Sequence, residues 1–363
     1  MTRLIVIEPN LRGPAGHYAE FVRAVGTAVT EDPIDVYAHP DADAMLAAMN
    51  GVRPWTAKPM AGRLLAEWST IFRFVREEIP FLVLTSDGRH AAAVSAAGFR
   101  YGRAPHNARL FFHRPPDTGR DRLLLPFADL ARRYALAVAP TEEIAQSLSE
   151  GGWKRVELVA YPALAPEPLP APVPFSHLLM AGAARLNKGL DLVSELASLW
   201  AGEGRSVPLL VQVSKKHIDR HGRQEKGFVE ALFASGYRGL RVNETAPDRA
   251  EYIERFRGAL VLAPYARQQF AFQVSGVVLD ALLNGAPVIA TSGTWPGRQV
   301  ERFGAGITIR ERTAAALADA IDKILSEWTV YSERACEAAG VLGREHDPGH
   351  LLKVLSNREA ARS

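Results

Sequence analysis

Two cations three residues apart, Arg185 and Lys188, sit in a short segment bracketed by Gly182 and Gly189. An apolar run precedes the segment and an amphipathic one follows, so it reads as a strand-to-helix turn. A glycine there lets the backbone come close to a ligand, and the following helix presents its positive end. A guanidinium, an ammonium and free N–H groups together suit a diphosphate. The Gly-Lys-Ser/Thr order of a Walker loop is missing, and the bland alternative is a plain turn with solvated charges.

A second group follows the apolar run Leu260–Ala263. Ser275 and Gly276 open a helix whose first N–H groups can hold an anion. Asp280 lies just over one turn further on, where a carboxylate could accept hydrogen bonds from a ribose diol. Gly285 reads as the C-cap, ahead of a buried strand at Pro287–Ala290. Alone, Asp280 is equally a solvated helix residue, but a helix this apolar leaves only a narrow polar face.

Three further groups fall in the first half. Gly13, Gly16, His17 and Tyr18 follow the first apolar run, and their glycines would let N–H groups approach a ligand. His113 ends the strand-like run Arg109–His113 and could hydrogen-bond a ligand or share a proton. Ser86, Asp87 and Gly88 end another strand and could shape a ligand site. His90 and His106 read as surface or structural, and His217 and His221 show no metal-ligand pairing. Asp41 and Asp43 have the spacing of a metal-binding acid pair but sit at a helix start, which suggests capping. Trp68, Phe72 and Phe74 beside Arg73 and Arg76 could lie on an anionic membrane, or form a core-facing stripe with basic flanks.

These groups need elements to position them. Short β-branched runs alternate with helical spacing along the whole chain. Strands are expected at Leu4–Ile7, Ile34–Tyr37, Phe81–Leu84, Ala135–Ala139 and Val156–Val159. Helices are expected at Tyr18–Val29 and Met60–Glu78, and after Thr141. Tyr161 to Pro174 then holds six prolines in fourteen residues, a stiff linker. The alternation restarts at His177–Met180 and runs to a helix at Thr313–Trp328. Two α/β runs imply two parallel sheets covered by helices, with ligands beyond the carboxyl ends of the strands.

Composition sets the outer limits. The chain has 363 residues, 47% hydrophobic and 23% charged, which suits two globular domains and excludes disorder or a coiled coil. Cys336 is the only cysteine, so an intrachain disulfide and a cysteine zinc site are excluded. The net charge of +3 is too small to argue for nucleic acid. Locally, Arg53 to Arg76 holds five basic residues against Glu67, and Arg100 to Arg133 holds eight against three acids. No apolar run approaches the roughly 20 residues of a spanning helix. The N-terminal run lacks a small-residue cleavage site, so it reads as a strand rather than a signal peptide.

The stretches Leu178–Gly189, Leu260–Ala290 and Gly304–Gly306, with Thr141–Pro162, resemble the GT-B glycosyltransferases, in particular the large retaining group called family 4. The match covers roughly Leu136 to Leu325; the first 135 residues are similar only in pattern. The resemblance implies an α/β fold of two Rossmann-like domains facing a central cleft. Residues 1–162 would form the acceptor-side domain, 163–174 the linker and 175–335 the nucleotide-sugar domain. Residues 336–363 would be a helical tail that could pack back on the first domain.

The enzyme it implies is expected in the cytoplasm, either free or peripheral on the inner membrane face. The enzyme would move a sugar from a UDP- or GDP-linked donor to a glycan, lipid-linked or small-molecule acceptor, with retention and without a metal or other cofactor. Gly16, Gly182, Arg185, Lys188, Ser275, Gly276 and Asp280 would bind the donor, Arg185 and Lys188 stabilising the leaving diphosphate. His17, Asp87 and His113 would face the acceptor, with His113 also catalytic. Asp280 stands where the family has the second glutamate of its two-glutamate motif, and Phe272, eight residues earlier, replaces the first. A catalytically silent glycan-binding or partner subunit, or a nucleotide-sugar epimerase, is the alternative.

Overall fold

The computed structural model describes residues 4–14, 16–29, 32–55, 63–116, 119–214 and 223–356. The chain divides into two compact units, Met1–Leu164 with His346–Ser363, and Ala165–Glu345.

The first unit is built on a seven-stranded sheet of order β3-β2-β1-β4-β5-β6-β7. Its strands are β1 (Ile5–Glu8), β2 (Ile34–Ala38), β3 (Val52–Pro54), β4 (Phe81–Val83), β5 (Ala108–Phe111), β6 (Leu136–Ala139) and β7 (Val156–Leu158). Every pairing is parallel. The helices are α1 (His17–Ala28), α2 (Asp43–Ala47), α3 (Arg63–Glu77), α4 (Gly88–Tyr101), α5 (Gly119–Leu124), α6 (Asp129–Tyr134) and α7 (Glu142–Glu150). β1, β4, β5 and β6 are buried along their whole length, as strands covered by helices on both faces must be.

The second unit has a six-stranded parallel sheet of order β10-β9-β8-β11-β12-β13. Its strands are β8 (His177–Met180), β9 (Leu209–Gln212), β10 (Leu240–Asn243), β11 (Ala259–Ala263), β12 (Val288–Thr291) and β13 (Gly306–Ile309). Between them run α8 (Leu190–Gly202), α9 (Arg223–Ala234), α10 (Arg249–Glu254), α11 (Arg267–Phe270), α12 (Gly276–Leu283), α13 (Trp295–Phe303), α14 (Ala314–Ser326) and α15 (Trp328–Glu345). Each unit has its own apolar core, one around Ile7, Phe74, Val83 and Leu110, the other around Leu178, Val193, Trp200 and Leu262.

In each sheet the strand order reverses direction once, between β1 and β4 and between β8 and β11. A crevice opens at the carboxyl end of the strands at such a point, because the connections on its two sides leave for opposite faces. The loops that flank it are the ones following β1, β4, β8 and β11.

The C-terminal boundary differs from the sequence reading. The helix expected at Thr313–Trp328 ends at Ser326, and Glu327 breaks it with φ −121° and ψ 27°. Trp328 then starts α15, which runs unbroken through residue 335 and packs on α12. The division therefore falls after Glu345 rather than at 335. The final helix, α16 (Pro348–Ser356), packs against α1 of the first unit.

The aromatic stripe of α3 faces inward. Phe74 is fully buried and stacks on Trp55, while Trp68 and Phe72 pack against the core of the first unit. Among the described residues no helix is long and apolar enough to cross a membrane.

Candidate functional site

In the second unit the crevice is flanked by the loop after β8. Gly182 takes φ +71°, and a Cβ on it would lie 3.2 Å from Val277 Cγ2 and 3.5 Å from Lys188 Nζ. Gly189 takes φ +90° and lies so close to Pro264, after β11, that a Cβ would meet its ring at 2.5 Å. Only glycine allows both the left-handed backbone and the close approach. The backbone N–H of Ala266 donates to Asn187 O, which ties the loop after β11 to the same turn. Thus Gly182, Lys188 and the start of α12 converge, although the sequence separates them by almost a hundred residues.

The two cations here lack counter-ions among the described residues. Arg185 Nε is buried without a hydrogen-bond partner. Lys188 Nζ lies 5.7 Å from the centre of the Tyr265 ring. Burial, then the nearby Arg185 charge, push the Lys188 pKa down to about 8. A buried ammonium beside a guanidinium is unfavourable until an anion arrives. The N-terminus of α12 adds backbone donors. Ser275 Oγ caps Val278 N–H, so the hydroxyl serves the helix and the Gly276 and Val277 N–H groups carry its positive end.

Asp280 is half-buried on α12 and accepts a 2.8 Å hydrogen bond from the Tyr252 hydroxyl. Burial pushes its pKa up to about 6 despite that bond. One of its oxygens is thus already held by a tyrosine on α10, which periodicity did not single out. Phe272 is exposed, and Gln273 beside it is half-buried.

In the first unit the crevice brings together the loops after β1 and β4 with the end of β5. Gly16 takes φ 103° and precedes α1, with no side-chain cap. His17 is exposed, and its ring centre lies 6.0 Å from that of His113. His113 Nε2 donates to Leu84 O at 2.9 Å. Burial, then the His17 charge, push the His113 pKa down to about 3. The imidazole is therefore neutral at ordinary pH. With Nε2 donating, Nδ1 is left to accept a hydrogen bond.

Asp87 follows β4, as its sequence context suggested, and its carboxylate is engaged by neighbours on α4. It caps α4, accepting from Arg89 N–H and Nε at 2.9 Å. Its carboxylate also lies 2.9 Å from His90 Nδ1, and Glu67 lies 2.5 Å from His90 Nε2. Burial opposes charge on His90, but hydrogen bonds to Asp87 and Glu67 raise its pKa to about 9. The ring is an imidazolium clamped between two carboxylates, and against burial the hydrogen bonds from His90 and Arg89 hold Asp87 well below the usual carboxylate range. His90 is thus a buried structural cation. Glu67 was hidden because a charge inside a basic window reads as solvated.

Glu8 ends β1, is 1% exposed and accepts from Thr85 Oγ1 at 2.5 Å and Asn10 N–H at 2.9 Å. Its only sequence signal was an acid closing a fully apolar strand. Asp41 pairs with His39 at 3.1 Å, and Asp43 lies in the first turn of α2. His217 and His221 lie outside the described residues. Among the described residues no group of three His, Cys, Asp or Glu is arranged to hold a metal.

No family model matches the sequence, and no curated protein is similar to it in sequence. The structure, however, is similar to solved glycosyltransferase structures along its whole length. HepE of Anabaena in complex with UDP-glucose superposes with a TM-score of 0.71 at 13% identity, over 99% of this chain and 100% of that one. Sucrose-phosphate synthase from Thermosynechococcus elongatus gives 0.71 at 14% identity, over 100% of both chains. WaaG, a glycosyltransferase involved in lipopolysaccharide biosynthesis, gives 0.68 at 15% identity, over 98% of this chain and 100% of that one. With its two Rossmann-like parallel sheets, the chain has the GT-B fold.

Proposed function

We propose that the protein is a glycosyltransferase that takes its sugar from a nucleotide-diphosphate donor held by the second unit. The observation that carries this is the pair Arg185 and Lys188. Both follow the central strand β8 without a carboxylate partner among the described residues; Lys188 lies beside Gly182, which touches the start of α12, and Arg185 is near enough to Lys188 to lower its pKa. A pyrophosphate supplies the charge they lack. As the glycosidic bond to the diphosphate breaks, negative charge grows on the leaving oxygen. Arg185, Lys188 and the Gly276 and Val277 N–H groups stabilise it more than they stabilise the ground state. These four groups can answer that charge without a metal ion.

Asp280 would accept from the ribose diol through the oxygen not bound by Tyr252. On the first unit, His113 Nδ1 and the exposed His17 would contact the acceptor, with Asp87 on the neighbouring loop after β4. Transfer with retention follows the resemblance to family 4. The likeness to the UDP-glucose complex makes uridine the first base to test; the acceptor would be a glycan, a lipid-linked sugar or a small molecule.

The test is a stability screen against UDP, GDP and their sugars, followed by transfer to an acceptor panel. A shift with one nucleotide, abolished by Arg185→Ala, supports the reading; no shift with any nucleotide sinks it. Phe272, apolar and exposed where the resemblance places a glutamate, favours a second reading as a catalytically silent subunit. Nucleotide binding without turnover on any acceptor would support that, and an epimerised donor recovered without acceptor would indicate an epimerase.

A further inference from the structure

The opposite end of the first sheet holds a second concentration of unpaired positive charge. Register puts Arg109 of β5 beside Leu136 of β6, and Ala137 beside Val156, so Arg155 falls next to Leu136 on the other side. Residues level with one another in a parallel sheet point to the same face, about two strand spacings or roughly 10 Å apart here. Both guanidinium groups line one cavity of about 200 Å³, together with His106, Leu136, Glu157, Lys353 and Val354.

Arg109 is the notable member. It is only 7% exposed, yet no carboxylate pairs with it among the described residues. Its Nη1 donates to Asn107 O at 2.8 Å and its Nη2 to Leu355 O at 3.2 Å, while Nε is buried with no partner. His106 Nδ1 is likewise buried and unpartnered. Arg155 donates to Tyr134 O and makes no ion pair among the described residues, and exposed Lys353 makes none. Burial lowers the pKa of both arginines; Arg155 adds to the lowering at Arg109, and Glu157 partly opposes it at Arg155. Burial, then Arg155, lower that of His106 as well.

Three fixed cations face one carboxylate, Glu157, leaving a surplus of two positive charges. A protein does not stabilise itself by burying an arginine among other cations. A bound anion would supply the missing partner, and a guanidinium fork matches the oxygens of a phosphate.

We propose that the cavity lined by Arg109, Arg155, Lys353 and His106 binds a phosphate dianion, either free or as a monoester on a short stem. Its volume exceeds what a bare phosphate fills. The site lies at the amino ends of β5, β6 and β7, whereas His113 and Asp87 lie at the carboxyl ends of their strands, so it is separate from the proposed acceptor contacts. Because Lys353 and the Leu355 carbonyl belong to α16, an anion here would hold that helix against the sheet. The inference does not depend on the proposed transferase reaction.

The test uses the full chain at fixed pH and ionic strength, titrating inorganic phosphate and glycerol 3-phosphate separately, with chloride as the control. Thermal stability and calorimetric binding are the readouts. Both should show saturable binding to at least one probe. Arg155→Gln and Lys353→Gln, neither of them a core residue, should each weaken it about tenfold. Arg185→Ala with Lys188→Ala should leave this binding intact, which separates it from the donor site. Tighter binding of glycerol 3-phosphate assigns a monoester, and equal or weaker binding assigns the free ion. The proposal is overturned if neither probe saturates, if Arg155→Gln and Lys353→Gln bind as the wild type does, or if the Arg185 and Lys188 changes abolish the response.

Discussion

Lys188 shows how a single side chain can be unfavourable for the fold and useful for function. Its pKa falls to about 8 from an ordinary lysine value near 10.5. The folded state therefore disfavours the charged form, and this cost is present below pH 8 and fades as pH rises towards 10.5. Lys188→Met should raise thermal stability at pH 7, by on the order of 2 kcal/mol, while weakening nucleotide-diphosphate binding at least tenfold. A variant less stable than wild type, or one that binds normally, would contradict the assignment. Binding should also weaken as pH rises through about 8, because the ammonium that meets the phosphate is lost. Calorimetric titration with UDP or GDP from pH 6.5 to 9.5 checks this, and a flat profile would remove Lys188 from the site.

At the scale of elements, the junction of α3 and α4 depends on His90. Its pKa is raised from 6.5 to about 9 by two carboxylates. The stability it contributes is full below pH 6.5 and disappears as pH passes through about 9. On the acid side Asp87, held well below its usual range, contributes stability that is lost as it protonates. Melting temperature against pH should thus fall between about pH 6.5 and pH 9, and more steeply for wild type than for His90→Gln. His90→Phe leaves the buried Glu67 without its cation, while Asp87 keeps Arg89, and should cost about 3–5 kcal/mol, the range for breaking a buried ion pair. Parallel pH–stability curves for wild type and His90→Gln would refute the clamp. The turn before α8 is equally constrained. Gly189→Ala must accept both φ +90° and a contact with the Pro264 ring, so both melting temperature and nucleotide affinity should drop.

At the scale of the molecule, each unit has its own sheet and its own core. Scanning calorimetry should resolve two transitions, and a nucleotide diphosphate should raise only the one belonging to Ala165–Glu345. A ligand stabilises the body whose native state binds it. Equal shifts of both transitions would argue against donor binding by the second unit alone.

Much of this was legible in the sequence. Short β-branched runs separated by amphipathic helices determine parallel sheets, because a strand buried on both faces has to be apolar throughout, and the proline-rich stretch marks the change from one alternation to the next. The strand-to-helix turns that carry Gly182, Arg185, Lys188 and Gly276 were legible because glycine, charge and apolar flanks are local signals; that they bind a diphosphate is the proposal made above. Only the tertiary structure decided what needs a partner from elsewhere in the chain. Tyr252 on Asp280, Glu67 and Asp87 around His90, and Arg109 level with Arg155 all join residues distant in sequence. Their protonation and pairing depend on burial and on the neighbours that sheet order supplies, and no local pattern of residue types encodes either.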